Sequence, residues 1–141
     1  MFRTTLDGGV MAMQEARVLF QPDPWAPAMG RRVLDSLSDT LAPSTLDDAR
    51  LLLTELLTNA IRHAHLSDDD RISVAVLREP SGVLVEVSDP GDGPPPPDAR
   101  RPGSGSGWGF TLLDRLADEW GIEPLPDGGT LAWFRLGRRD R

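Results

Sequence analysis

The sequence predicts an α+β domain: a two-layer sandwich with helices on one face of a mixed, mainly antiparallel sheet. Three observations predict it. From about Leu46 to His65, apolar side chains recur at helical spacing over a long run. Two alternating segments, Ile72–Leu77 and Val83–Ser88, flank Glu79-Pro80-Ser81-Gly82, a hairpin turn. A further alternating run, Thr130–Leu136, reads as a last strand.

The elements follow in order. Residues 1–15, with Gly8, Gly9 and no clear period, read as a flexible tail ahead of a single domain over 16–138. Arg17–Phe20 is a short strand ended by Pro22 and Pro24. Trp25, Met29, Val33 and Leu37 fall at spacing four, which predicts an amphipathic helix from Trp25 to Leu41, stopped by Pro43. Ser44 or Thr45 then caps the long helix, with Asp47 and Asp48 favourable in its first turn. After the hairpin, the Pro- and Gly-rich run from Asp89 to Gly107 is a long loop or lid, about 90–107. A short helix over Trp108–Leu116, a strand over Glu119–Glu123 and a turn over Pro124–Gly129 lead to the last strand.

Composition excludes several chemistries. The 141 residues suit one domain with a real core. Cysteine is absent, so there is no disulfide, thiol nucleophile or Cys-ligated metal. The two histidines, His63 and His65, are too few for a multi-His metal site. All 15 basic residues are arginine, which excludes a phosphate-binding or Schiff-base lysine. With 22 acids the net charge is −7, and no basic stripe appears, which argues against direct nucleic-acid binding. No run of about 18 apolar residues exists, so no membrane span is expected. The N-terminus lacks a secretion-signal pattern, and the expected location is cytoplasmic.

Three features could carry chemistry. On the long helix, Leu46, Ala49, Leu53, Leu56, Leu57, Ala60, Ile61 and Ala64 form the core stripe, with Glu55, Asn59 and Arg62 opposite. That polar line is either a solvated face or, flanked as it is by Leu51 and Leu52, a half-buried set needing partners such as a hydrated divalent cation. Asp89-Pro90-Gly91-Asp92-Gly93 follows a strand; it is either an ordinary turn or a carboxylate that accepts a hydrogen bond from a ligand held close by the glycines. Gly103 to Gly109 opens a helix, as a flexible linker or as a phosphate cradle of free N–H groups.

Taken in this order, the features resemble a known family. Glu55-Leu-Leu-Thr-Asn59-Ala-Ile-Arg-His63-Ala looks like the N box of the GHKL ATP-binding superfamily, which includes gyrase, histidine kinases and the anti-sigma-factor serine kinases. Asp89-Pro-Gly91-Asp-Gly93 resembles its D-x-G-x-G box, Gly107-Trp-Gly109-Phe110 its second glycine box, and Gly129-Thr130 its terminal Gly-Thr motif. The match spans roughly residues 17–137, and its compact form is most similar to the anti-sigma-factor serine kinases.

The resemblance implies a Bergerat-type sandwich, with ATP and Mg²⁺ as cofactors. Asn59 would ligate Mg²⁺, and Glu55 would orient or deprotonate the attacking hydroxyl. Asp89 would bind the adenine amino group, supported by Thr130. Gly91, Gly93, Gly107 and Gly109 would line the nucleotide, with Arg62 near phosphate. The implied partners are an anti-anti-sigma protein, a sigma factor, or both, and a homodimer is compatible. The chain departs from the serine kinases at Gly103–Ser106, where they carry an arginine; Arg100 and Arg101 sit farther back. Two functions therefore stand: a serine kinase, or a nucleotide-dependent module that sequesters a partner without phosphorylating it.

Overall fold

The computed structural model describes residues 6–7, 10–11, 13–39, 41–100 and 110–137. In chain order the elements are β1 (Leu6–Asp7), β2 (Val10–Met11), β3 (Met13–Phe20), α1 (Ala26–Val33), a 3₁₀ turn (Leu34–Leu37), α2 (Pro43–His63), β4 (Ile72–Glu79), β5 (Gly82–Asp89), α3 (Pro97–Arg100), α4 (Phe110–Leu116), β6 (Glu119–Pro124) and β7 (Thr130–Gly137). Five strands form one sheet in the order β3-β4-β5-β7-β6. Every ladder in it is antiparallel. The parallel pairing that a mixed sheet would need is thus absent among the described residues. For two of the four ladders this follows from the connections, since β4–β5 and β6–β7 are hairpins, which can only join antiparallel neighbours.

Alternation sorts the sheet into two faces. Ile72, Val74 and Val76 on β4, Val83, Val85 and Val87 on β5, and Ala132, Phe134 and Leu136 on β7 turn toward the helices and are buried. They meet Leu46, Leu52, Leu53, Leu56 and Leu57 of α2. Phe110 of α4 stacks on Trp120 of β6 with ring centroids 5.3 Å apart, closing the core at the sheet's far edge. On the other face Ala75, Leu77 and Leu84 form a second small cluster against Trp133.

The structure moves several expected boundaries. β3 starts at Met13, not Arg17, because Met13 and Gln14 still find partners in Arg78 and Leu77 of the long β4. Within the stretch expected as a tail, Leu6–Asp7 pairs with Val10–Met11. Pro43 does not stop a helix but opens α2 at its first position, where a missing N–H costs nothing; no side chain caps that end.

The first helix also differs. Trp25 and Met29, expected on the core stripe, are 75% and 47% exposed. The small residues Ala26 and Gly30 are buried instead. A Cβ at Gly30 would collide with Leu57, so the glycine lets the two helix backbones approach closely. Beyond Val33 the backbone tightens to 3₁₀, which puts both Leu34 and Leu37 into the core at spacing three. Arg31 donates to Thr54 Oγ1 at 3.2 Å, tying α1 to the outer side of α2. No helix among the described residues is long and apolar enough to cross a membrane.

Candidate functional site

A small cavity, with room for about 20 Å³, lies where the C-terminal half of α2 meets the ends of β5 and β7. Leu56, Asn59, Ala60 and Ala64 contribute from α2 and its cap, Val87 and Asp89 from β5, Thr130 and Ala132 from β7, Ile122 from β6, and Gly93 from the loop after β5. Thus the wall is largely apolar, with three buried polar side chains converging on it.

Each polar side chain is placed by local rules. On α2, Asn59 shares its side of the helix with Leu52 and Leu56, all three buried. It therefore belongs to the buried side and does not lie opposite the core stripe as the sequence suggested. At 100° per residue Asn59 falls only about 20° from Leu52, whereas Glu55 and Arg62 fall farther round. The amide Nδ2 of Asn59 is buried without a hydrogen-bond partner. Such an orphan donor is costly unless a ligand or water meets it.

Asp89 ends β5 on the same face as Val85 and Val87, which turns its carboxylate inward. Its Oδ1 accepts the N–H of Gly91 at 2.8 Å, an Asx turn. Burial pushes the Asp89 carboxyl above its usual range; the Gly91 bond pulls it back, and Asp70 and Asp92 add to the rise. A carboxylate held in an apolar wall, with one oxygen committed to Gly91, leaves the other for a donor on a ligand.

Thr130 begins β7 directly opposite Asp89 in the register. Gly129 makes that juxtaposition feasible: its φ is +95° and a Cβ there would collide with the Asp89 carbonyl oxygen. Gly91 has a matching role, since a Cβ on it would strike Ala64 at the end of α2. Gly93, at φ +99° with open space beyond it, borders the cavity mouth.

Of the sequence-predicted residues, the fold therefore brings Asn59, Asp89, Gly93 and Thr130 to one cavity, with Gly91 packed behind it. Glu55 and Arg62 do not line it. Glu55 is half-buried one turn before Asn59, and Arg62 is exposed in the last turn of α2. Gly107 and Gly109 lie outside the described residues, as does the end of the expected lid from residue 101 onward. Sequence reasoning missed Ile122, Val87, Ala132 and Ala64 as lining residues. The alternation of β5 carried the signal for Val87, two positions before Asp89, and that of β7 the signal for Ala132, two after Thr130; Ala64 closes the quoted N-box segment, and no motif marks Ile122.

Comparison with known proteins fits this geometry. Residues 23–136 match the family described as "Histidine kinase-like ATPase domain". The chain is similar to the anti-sigma F factor of Geobacillus stearothermophilus, 32% identical over 106 residues, covering 67% of this chain and 73% of that protein. A second relative, the anti-sigma F factor of Geobacillus kaustophilus (strain HTA426), is 31% identical over 99 residues, covering 64% and 68%. In three dimensions the fold resembles the crystal structure of the RsbU and RsbW domains of a Mycobacterium tuberculosis protein, with a TM-score of 0.64 at 21% identity. That likeness covers 86% of this chain but only 32% of the larger one. With the family match running from the start of α1 to the end of β7, the chain belongs to the histidine kinase-like ATPase domain family.

Proposed function

We propose that this chain is an ATP- and Mg²⁺-binding regulatory protein of the anti-sigma kind, acting as a serine kinase on a small anti-anti-sigma protein. The observation that carries the reading is the convergence of Asn59, Asp89, Gly93 and Thr130 on one apolar cavity. Membership of an ATPase-domain family supports ATP as the ligand. Two relatives named anti-sigma F factors support a sigma factor as the other partner. The exposed pair Trp25, at the N-cap of α1, and Met29, one turn on, supplies apolar surface of the sort that partners cover.

In this reading the free oxygen of Asp89 accepts a hydrogen from the adenine amino group, and Thr130 supports it. The apolar wall of Leu56, Ala60, Val87, Ile122 and Ala132 takes the faces of the ring. Among the described residues no cluster of three or more His, Cys, Asp or Glu side chains could hold a metal by itself. Mg²⁺ would therefore be held by the Asn59 amide oxygen together with nucleotide phosphates and water, the donor set a hard cation prefers. When bound it neutralises phosphate charge, which this lysine-free chain can otherwise meet only with arginine and backbone N–H groups. Glu55 receives the proton as the partner's serine oxygen bonds to the terminal phosphorus and the bond to the ADP oxygen breaks.

A second reading rests on one specific observation. The stretch Gly103–Ser106 carries no arginine just before the second glycine box. A chain without that cation could bind nucleotide and sequester its partner without transferring phosphate. Calorimetric titration with ATP, with and without Mg²⁺, tests the shared core of both readings. Transfer of radiolabelled phosphate to a partner recovered with the protein separates them: transfer supports the kinase, and binding without transfer supports the sequestering module.

A further inference from the structure

Three contacts join the end of α2 to the loop after β5, and the nucleotide reading uses none of them. The N–H of Asp92 donates to the Ala64 carbonyl at 3.2 Å. Gly91 packs so tightly on Ala64 that a Cβ would collide with it. The imidazole Nδ1 of His65 lies 2.5 Å from Asp92 Oδ2. His65 itself has φ +54°, and among the described residues no other non-glycine has a positive φ. It directly follows Ala64, the C-cap of α2, at the position where helices favour glycine. Ending the helix alone would be better served by glycine, so the strained histidine calls for a role for its ring. Its neighbours on both sides of the contact, Ala64 and Gly93, line the cavity.

We propose that His65 is a positioning residue for the nucleotide. Its imidazole clamps Asp92 and so holds the Asp89–Gly93 loop against α2 in the geometry that receives the base. This rests on the nucleotide reading above. A bond from imidazolium to carboxylate is stronger than one from neutral imidazole. The charged and titratable groups around the junction are Asp89 and Asp92 of the loop, Asp70 ahead of β4, and Arg62 and His63 in the last turn of α2. Both clamp side chains are exposed, so salt weakens the pair.

The test is calorimetric titration of ATP and ADP on the full chain, its His65→Gly and Asp92→Asn variants and the double variant, with melting temperatures alongside. His65→Gly is expected to melt no lower than the parent, because the strain is relieved. It is expected to bind about two- to fivefold more weakly, roughly the range of one exposed ion pair. Asp92→Asn is expected to show the same loss, and the double variant no further loss. Unchanged affinity in either single variant overturns the clamp. So does a loss in His65→Gly alone, which would place the ring directly against the nucleotide. A parent protein that binds neither nucleotide overturns the nucleotide reading itself and the clamp with it.

Discussion

Asp89 and Thr130 stand opposite each other at the ends of β5 and β7, and both side chains turn into the same cavity, 6% and 5% exposed. Register fixes this pair, because a slip of one residue would turn both side chains to the outer face. A carboxylate and a hydroxyl facing each other in an apolar wall recognise a ligand that donates hydrogen bonds, as an adenine amino group does.

Asp89→Asn is therefore expected to weaken ATP binding. The variant keeps an oxygen for the Gly91 N–H but loses the charge on the other. Loss of one charge-assisted hydrogen bond costs about 1.5–3 kcal/mol, roughly ten- to a hundredfold in affinity. Calorimetry on the two proteins measures it, and equal affinities would remove Asp89 from the site.

The same residue sets an acid-range signature. Burial holds the folded-state value of Asp89 above the 3.8 of a free carboxyl. Between those values the folded chain binds more protons than the unfolded chain, so this group's contribution to stability rises as pH falls through the folded value. At neutral pH the buried charge destabilises the nucleotide-free protein, and Asp89→Asn is expected to unfold at higher urea. That advantage should shrink as pH falls through the raised value and end below 3.8. ATP affinity of the parent should decline over the same window, since the protonated carboxyl is a poorer acceptor. A stability gap constant from pH 7 to pH 4 would contradict the burial argument.

Gly129→Ala is expected to be strongly destabilising. The position combines a left-handed φ with a collision against the Asp89 carbonyl, so no side-chain adjustment relieves it. Backbone strain of this type costs about 1–3 kcal/mol before the collision is counted. A melting temperature within a degree or two of the parent would show that the β5–β7 junction is softer than its geometry indicates.

Much of this site was legible in the sequence because its parts sit at element ends with their own signals. Asp89 closes an alternating run, and Gly129 and Thr130 open one, so strand periodicity placed both. The helices were read less well. Trp25 and Met29 looked like a core stripe, yet the close approach of α1 and α2 selected Ala26 and Gly30 for the interface. Intervals alone cannot reveal that a small residue wins a buried position through backbone proximity. Asn59 was placed opposite the core stripe, on a line read as either solvated or half-buried beside Leu51 and Leu52; the structure buries it beside Leu52. His65 carried no signal at all, since its role depends on a residue 27 positions away.

Asn59→Ala is expected to fold, because it removes a buried amide whose Nδ2 has no partner. Deleting such a group also removes its desolvation cost, about 1–3 kcal/mol, which offsets the small void left behind. The variant should lose the Mg²⁺ dependence of ATP binding. Calorimetry with and without Mg²⁺ reads this directly, and a response like the parent's would make Asn59 a structural residue.

Glu55 carries the prediction that separates chemistry from binding. It lies one turn before Asn59 on α2 and stays half-buried outside the cavity wall. From there it can meet the reacting hydroxyl of a partner without touching the base. Glu55→Ala should therefore melt near the parent and bind ATP with unchanged affinity. Phosphate transfer to a recovered partner should fall by about 10²–10⁴-fold, the usual effect of removing a general base. A variant that unfolds would make Glu55 a structural acid of α2. A variant that keeps full transfer would remove it from the chemistry. If the parent itself transfers nothing while still binding ATP, the missing arginine at Gly103–Ser106 decides the matter: the cavity then gates partner binding, and Glu55 has no proton to accept.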